Sequence, residues 1–403
     1  MADISTQHRG WFDHIVLDLL RQLRWSFLPP LMVYFAYGAS GITSVVGTFF
    51  VKEYLDVSAA FVAGLAFWAG LPWALKMPMG HLVDLMWRWK SVLVFIGAGF
   101  ITASFLIMYG LATRMAWMPE IMSITAWYVL AALLSPCGYV IQDAVADAMS
   151  VEAVPDHDDT GTPLSEEAKR TAHTTMQTLG RVALIGALSS VAVLNITLFA
   201  GVEGLPEAEK GNVYGQIYLT GLFIPLISIS GVLLAGWQKR RDILAMMADG
   251  ASRAEAETRY APEGGEVEPN WSYFIGGGLF IAISLTVGLS NIAWSQEIIF
   301  AGSMAIVLFL MRQLIRVLPA EKARALVGTA IIIFVFRAVP APGAASTWFN
   351  IDVLGFDQQF LSVLYLIVSL LTLFGMLVLR PLMANHTIVY IVVLLTVAQG
   401  ILS

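Results

Sequence analysis

Apolar runs separated by short charged stretches constrain this chain more than any other feature of its sequence. An α-helix of about 20 residues crosses the roughly 30 Å hydrocarbon core of a bilayer. Of the 403 residues, 58% are apolar and 13% are charged, whereas roughly 25% of the residues in a soluble domain are charged. We therefore expect an all-α, polytopic membrane protein rather than a soluble domain.

Eleven spanning helices are predicted where apolar runs are bounded by charges. They lie near 27–50, 58–78, 92–112, 121–148, 174–200, 214–237, 271–292, 295–318, 324–345, 358–379 and 386–402. With the N-terminus inside, 17 of the 23 Lys and Arg residues fall on the inner side. Outer loops hold only Lys52, Arg114 and Lys210. This asymmetry predicts a cytoplasmic N-terminus, and the short loops suggest a bacterial inner membrane.

Polar stretches divide the chain into five predicted segments, and a repeat relates two of them. The segments are an interfacial amphipathic helix (1–26), a six-helix bundle (27–237), a cytoplasmic linker (238–270), an inserted helix pair (271–318) and the start of a second bundle (319–403).

The repeat pairs FFVKEYLDVSAAFVAGL (49–65) with WFNIDVLGFDQQFLSVL (348–364) at an offset of 299 residues. It predicts an incomplete second half, so that about eleven helices of an expected fourteen are present. A chance similarity between two apolar stretches is the alternative.

The segment GHLVDLMWRWK (80–90) has the form Gly-x-x-x-Asp-x-x-x-Arg-x-Lys. It resembles the loop signature of the major facilitator superfamily, which implies that fold. Gly80 would permit a tight turn, and Asp84 with Arg88 or Lys90 would form a charge network between cytoplasmic helix ends. These four residues are the predicted gating motif. An ordinary basic loop on the inner side is the alternative.

Further segments resemble the folate-biopterin transporter family within that superfamily. They are GLPWALKMPMG (70–80), QDAVADAMSVE (142–152), RALVGTAIIIFVFRAVPAP (324–342) and FNIDVLGFDQQFL (349–361). The sequence departs from the family pattern where Met77 separates Lys76 from Pro78 and where the pair 271–318 is inserted. The resemblance implies secondary transport of folate or a pterin by alternating access.

Ionisable residues inside spans are costly and are therefore candidates for function. Asp143 and Asp147 are four residues apart and share a helix face. Arg181 lies at a matching depth in the next, antiparallel helix. Because two close carboxylates repel each other, this cluster is a candidate proton-coupling site. A static ion pair between the two helices, or an exposed helix end, is the alternative.

Five residues are candidates for substrate binding. Arg337 lies beside a proline-rich stretch, where a permanent cation would suit an anionic solute; a structural ion pair or an outward-directed side chain is its alternative. Lys76 is a candidate for gating or substrate contact unless it only reaches the interface. Tyr34, Tyr37 and Trp73 could stack on a flat ring, although aromatic side chains also serve as packing and interface residues.

Other functional classes find little support in the sequence. The net charge of −6 argues against nucleic-acid binding. No pattern for a nucleotide, a haem or a catalytic triad is present, so we expect neither an enzyme nor a cofactor. Asp156, His157, Asp158 and Asp159 form a polar loop rather than a metal site.

The expected partners are a small-molecule substrate and the lipid bilayer. A rival interpretation is a membrane assembly factor or scaffold, with a protein partner at 271–318. The transporter-like part of a larger fusion protein is a third possibility.

Overall fold

The computed structural model of this chain describes residues 18–55, 57–154, 164–258, 267–288, 292–316, 318–337, 343–379, 382 and 386–402. Within these ranges the chain is all-helical, as the sequence predicts. The first helices are α1 (Asp18–Arg21), α2 (Leu28–Ala39), α3 (Ile42–Tyr54), α4 (Ala59–Ala74), α5 (Lys76–Leu85), α6 (Lys90–Ala112), α7 (Met118–Ile121), α8 (Ile124–Glu152), α9 (Glu166–Leu198), α10 (Glu207–Gly221), α11 (Phe223–Ala248) and α12 (Arg253–Thr258). They are followed by α13 (Trp271–Gly288), α14 (Ser295–Arg316), α15 (Ala320–Arg337), α16 (Ala344–Asp352), α17 (Gln358–Val378) and α18 (Ile388–Leu402).

Nine helical spans in the described ranges are long and apolar enough to cross a membrane. They are Trp25–Tyr54, Ala59–Leu85, Trp87–Ala112, Ile124–Glu152, Glu166–Gly204, Glu209–Ala248, Trp271–Gly288, Ser295–Arg316 and Gln358–Val378. This architecture is the one expected of a polytopic membrane protein. The predicted spans 324–345 and 386–402 coincide with α15, which carries several charges, and α18, which has 15 residues. The count of eleven and the major facilitator fold therefore stay predictions.

The described helices fall into two compact units. The first comprises residues 1–267 together with 344–377, and the second comprises 268–343 together with 378–403. In the first, α6 and α8 make the most extensive helix–helix contact, and α2 packs on α9 and α11. In the second, α13 packs on α14 and α15 contacts α18. The pair predicted as an insertion, 271–318, thus shares a unit with neighbours on its C-terminal side.

The helix predicted to end at residue 78 continues to Leu85, with a break in its middle. Pro78 lies in the first turn of the next helix and has no backbone N–H to donate to the Ala74 carbonyl, and α4 ends at Ala74. A new helix begins at Lys76. The helical stretch Ala59–Leu85 therefore continues beyond Lys76.

The signature segment is not a loop in the structure. Gly80 and Asp84 lie within α5, and Arg88 lies in a short 3₁₀ turn, Trp87–Trp89. Lys90 is the first residue of α6. The reason is local, because the segment Leu82–Trp89 contains no proline or glycine that would open a longer loop.

Two predicted polar segments are only partly described. The amphipathic helix 1–26 lies mostly outside the described residues, and so do residues 155–163, with the polar loop at Asp156–Asp159. In the linker 238–270, α11 extends to Ala248 and α12 follows. Ser252 and Glu255 exchange hydrogen bonds at the start of α12, and the bonds from Ser252 hold the pKa of Glu255 below its usual value.

Candidate functional site

A compact group of charges lies where α5, α8 and α2 meet. Lys76 Nζ is 2.6 Å from Asp143 Oδ2 and 2.9 Å from Asp147 Oδ2. The Tyr34 hydroxyl donates a hydrogen bond of 2.7 Å to Asp147 Oδ1. The two carboxylates therefore share one cation inside spans that are otherwise apolar. We call Tyr34, Lys76, Asp143 and Asp147 the charge cluster.

Local structure explains how Lys76 reaches the two aspartates. The break after Leu75 makes Lys76 the first residue of α5, about 14 Å before Leu85 by helical rise. A cation at a helix N-terminus is disfavoured by the helix dipole. Asp143 and Asp147, one turn apart on α8, supply the compensating negative charge.

Burial differs among the members of the charge cluster. The side chain of Asp143 is 10% exposed, whereas the side chains of Lys76 and Asp147 are each 44% exposed. Tyr34 is buried, with 7% exposure. Of the two carboxylates, Asp143 is thus the less exposed.

Arg181 lies apart from the two carboxylates that it was predicted to pair with. Among the described residues it forms no ion pair with Asp143 or Asp147, although it is near enough to act on Asp143 electrostatically. Its side chain is exposed. Lys76 takes the position predicted for Arg181, because the helix break carries Lys76 to the depth of Asp143.

The aromatic candidates separate into two environments. Tyr37 contacts Trp73 with ring centroids 5.5 Å apart and Tyr139 with centroids 5.6 Å apart. Tyr34 instead packs against Gly180, where an added Cβ would lie 3.0 Å from its ring. Tyr37 and Trp73 are both partly exposed and form a surface on which a flat molecule could stack, whereas Tyr34 does not.

Arg337 is the last residue of α15, and its side chain lies outside the described part of the structure. Its predicted contact with an anionic solute stays a prediction.

The signature residues form a different arrangement from the predicted one. Lys90 Nζ is 2.7 Å from Glu152 Oε2 at the end of α8, and it lies 3.8 Å from the centroid of the Trp87 ring. Within the described ranges Asp84 pairs with neither Lys90 nor Arg88. The charged contact between helix ends thus joins α6 to α8 through Glu152, the last residue of the segment QDAVADAMSVE (142–152).

A cavity of about 200 Å³ opens beside this pair of residues. Three basic and two acidic side chains contribute to its lining, namely Arg88, Lys90, Lys239, Glu152 and Asp242.

A second polar cluster, which the sequence did not indicate, lies at the opposite end of the first unit. The Tyr214 hydroxyl donates to Glu53 Oε2 at 2.8 Å, and Gln358 Nε2 donates to the Tyr214 oxygen at 2.9 Å. Lys52 pairs with Asp352 nearby. The segments of the predicted repeat are therefore in direct contact. The one available signal was that the acidic positions Glu53 and Asp352 correspond in the repeat.

Comparison with known proteins adds no relative. The chain matches no protein-family model, no curated protein and no solved structure. The resemblance to folate-biopterin transporters therefore stays a prediction from the quoted motifs.

Proposed function

We propose that this protein is a secondary active transporter that moves a small anionic solute across a membrane, coupled to protons. The observation that supports the proposal is the charge cluster within helices long enough to span a bilayer. Ionisable side chains at such depth cost several kcal/mol and are mostly retained for substrate or ion pathways. The activity would be translocation, without chemical change in the solute.

The geometry suggests how a proton and an anion would be coupled. Lys76 neutralises part of the negative charge of Asp143 and Asp147. A proton on one of the carboxylates would weaken its hold on Lys76. The lysine would then be available to bind a carboxylate of the solute, while the surface of Tyr37 and Trp73 would accept a flat ring.

The broader assignment is also part of this proposal. We place the chain in the major facilitator superfamily, working by alternating access between two bundles, in a bacterial inner membrane with a cytoplasmic N-terminus. Folate or a pterin is the solute that the resemblance implies, and both kinds of molecule carry a flat heterocycle.

Uptake into proteoliposomes tests the proposal. The full-length protein is reconstituted, and uptake of labelled folate and of simple pterins is measured with and without an imposed pH gradient. We expect gradient-dependent uptake that falls at least tenfold in Asp143→Asn. Glu120→Gln makes the same chemical change at an exposed position and should transport normally.

A folded protein that takes up none of these solutes under either condition would contradict the proposed cargo. Uptake that is equal in Asp143→Asn and Glu120→Gln would contradict the assignment of the charge cluster to coupling. Loss of a cellular phenotype on disrupting 271–318, but not on substituting Asp143, would favour the scaffold interpretation.

A further inference from the structure

The two carboxylates of the charge cluster differ in how many hydrogen-bond donors they have. Asp147 accepts from Tyr34 at Oδ1 and from Lys76 at Oδ2. Asp143 accepts from Lys76 at Oδ2, and no other described residue donates to it. Asp143 is also the more buried of the two. The less exposed carboxylate thus depends on a single donor.

The two donors differ in mobility. The ammonium group of Lys76 stands on a flexible four-carbon chain, and it is already shared between two acceptors. The Tyr34 ring is buried against Gly180, where an added Cβ would lie 3.0 Å from two ring atoms. Packing between α2 and α9 therefore fixes the Tyr34 hydroxyl beside Asp147, whatever Lys76 does.

We infer that Tyr34 is a positioning residue that keeps Asp147 ionised, so that Asp143 alone takes up the coupling proton. The inference rests on the proposed function and specifies its mechanism. When Lys76 turns to a solute anion, Asp147 retains the Tyr34 hydroxyl, whereas Asp143 loses its donor in a poorly hydrated place. A proton from water then binds Asp143, and the charge of Lys76 is shared between Asp147 and the solute.

Other charged or titratable groups lie near Asp143 on four of the described helices. They are Lys76 on α5, Asp147 on α8, Tyr34 and Tyr37 on α2, and Arg181 on α9. Of these, Tyr34 is the one whose hydroxyl contacts Asp147 directly. Removal of that hydroxyl should therefore make the two carboxylates more alike without moving any charge.

Infrared difference spectroscopy tests this assignment without a solute. The full-length protein in lipid is taken through pH steps, and the C=O stretch of protonated carboxyl groups is recorded. We expect a wild-type band that is lost in Asp143→Asn and kept in Asp147→Asn. Tyr34→Phe should show a second band, which disappears in the double variant Tyr34→Phe with Asp147→Asn.

Tyr37→Phe is the matched control. It removes a hydroxyl from the same helix, one turn further on, that bonds to neither carboxylate among the described residues. Its spectrum should show no second band, because this hydroxyl does not bond to Asp147. A general loosening of α2 would alter both variants, whereas the proposed role concerns Tyr34 alone.

Two results would overturn the inference. One is a Tyr34→Phe spectrum that equals that of Tyr37→Phe, and the other is a wild-type band that disappears in Asp147→Asn. If Asp147→Asn does not fold, the comparison of Tyr34→Phe with Tyr37→Phe decides the question. Because the infrared experiment uses no solute, its result does not depend on the uptake assay. Failure of uptake would contradict the proposed function without changing the infrared result.

Discussion

Lys90 is a charged residue that is buried in this fold and needs a compensating partner. It is 8% exposed, yet Glu152 neutralises its ammonium group and the Trp87 ring lies over it. A buried ion pair contributes little net stability compared with apolar side chains, but removal of one partner leaves an uncompensated charge. The pair therefore imposes a specific arrangement of the ends of α6 and α8.

We predict that removing one partner of the Lys90–Glu152 pair destabilises the protein. Glu152→Gln should lower the free energy of unfolding by about 3 kcal/mol, because Lys90 loses its counter-ion in a buried place. The double variant Lys90→Met with Glu152→Met should recover most of that loss. Denaturant titration in detergent measures both values.

The exposed substitution Glu120→Gln serves as the control and should change stability by less than about 0.5 kcal/mol. If Glu152→Gln behaved like Glu120→Gln, the pair would be solvated and the contact between the helix ends would have no energetic role.

Glycines set the spacing between elements where α6 and α8 make their extensive contact. A Cβ on Gly97 would lie 2.7 Å from the Gly138 carbonyl oxygen, and a Cβ on Gly138 would lie 2.5 Å from the Gly97 oxygen. Backbone atoms cannot move aside as a flexible side chain can. These two glycines therefore allow the helix backbones to approach closely, as small residues do in membrane helix pairs.

We predict that Gly138→Ala lowers the free energy of unfolding by about 1–3 kcal/mol, because the two helices must separate to admit a methyl group. Gly99 also lies in α6, but no described atom lies within 4 Å of a Cβ added there. Gly99→Ala should therefore not destabilise the protein. Thermal unfolding in detergent, followed by tryptophan fluorescence, compares the two variants. Equal melting temperatures would contradict the close approach.

The starts of two helices bear on the predicted repeat. Ser58 accepts from the Phe61 N–H at the start of α4, and Asp357 accepts from the Phe360 N–H at the start of α17. These N-cap pairs are separated by the same 299 residues as the sequence match. Equivalent positions thus begin equivalent helices, which favours a repeat over a chance similarity.

For the whole molecule, the loop charges predict which ends face the cytoplasm. Arg88 follows the second predicted span and Arg114 follows the third, so they should lie on opposite sides of the membrane. Both side chains are exposed. This arrangement can be tested because Cys137 is the chain's one cysteine.

In a Cys137→Ser background, we expect Arg88→Cys to react with an impermeant maleimide only from the cytoplasmic side. Arg114→Cys should react only from the opposite side. Labelling is compared in intact cells and in inverted vesicles. Reaction of both cysteines from one side would contradict the predicted topology, including a cytoplasmic N-terminus.

The order of residues along the chain is enough to predict the helical class and most spans of the first unit, because runs of apolar residues have few other stable structures in a bilayer. It also identified Asp143 and Asp147 as a pair, because residues four apart share a helix face. These are local properties of the chain.

Which side chains contact these two carboxylates depends instead on how the helices pack in the folded protein. The break between α4 and α5, rather than the apolar pattern, placed Lys76 beside the aspartates instead of Arg181. Packing against Gly180 turned Tyr34 from a candidate stacking residue into a hydrogen-bond donor. Both outcomes depend on how neighbouring helices are placed and rotated, and the order of apolar and polar residues along one helix does not specify its neighbours.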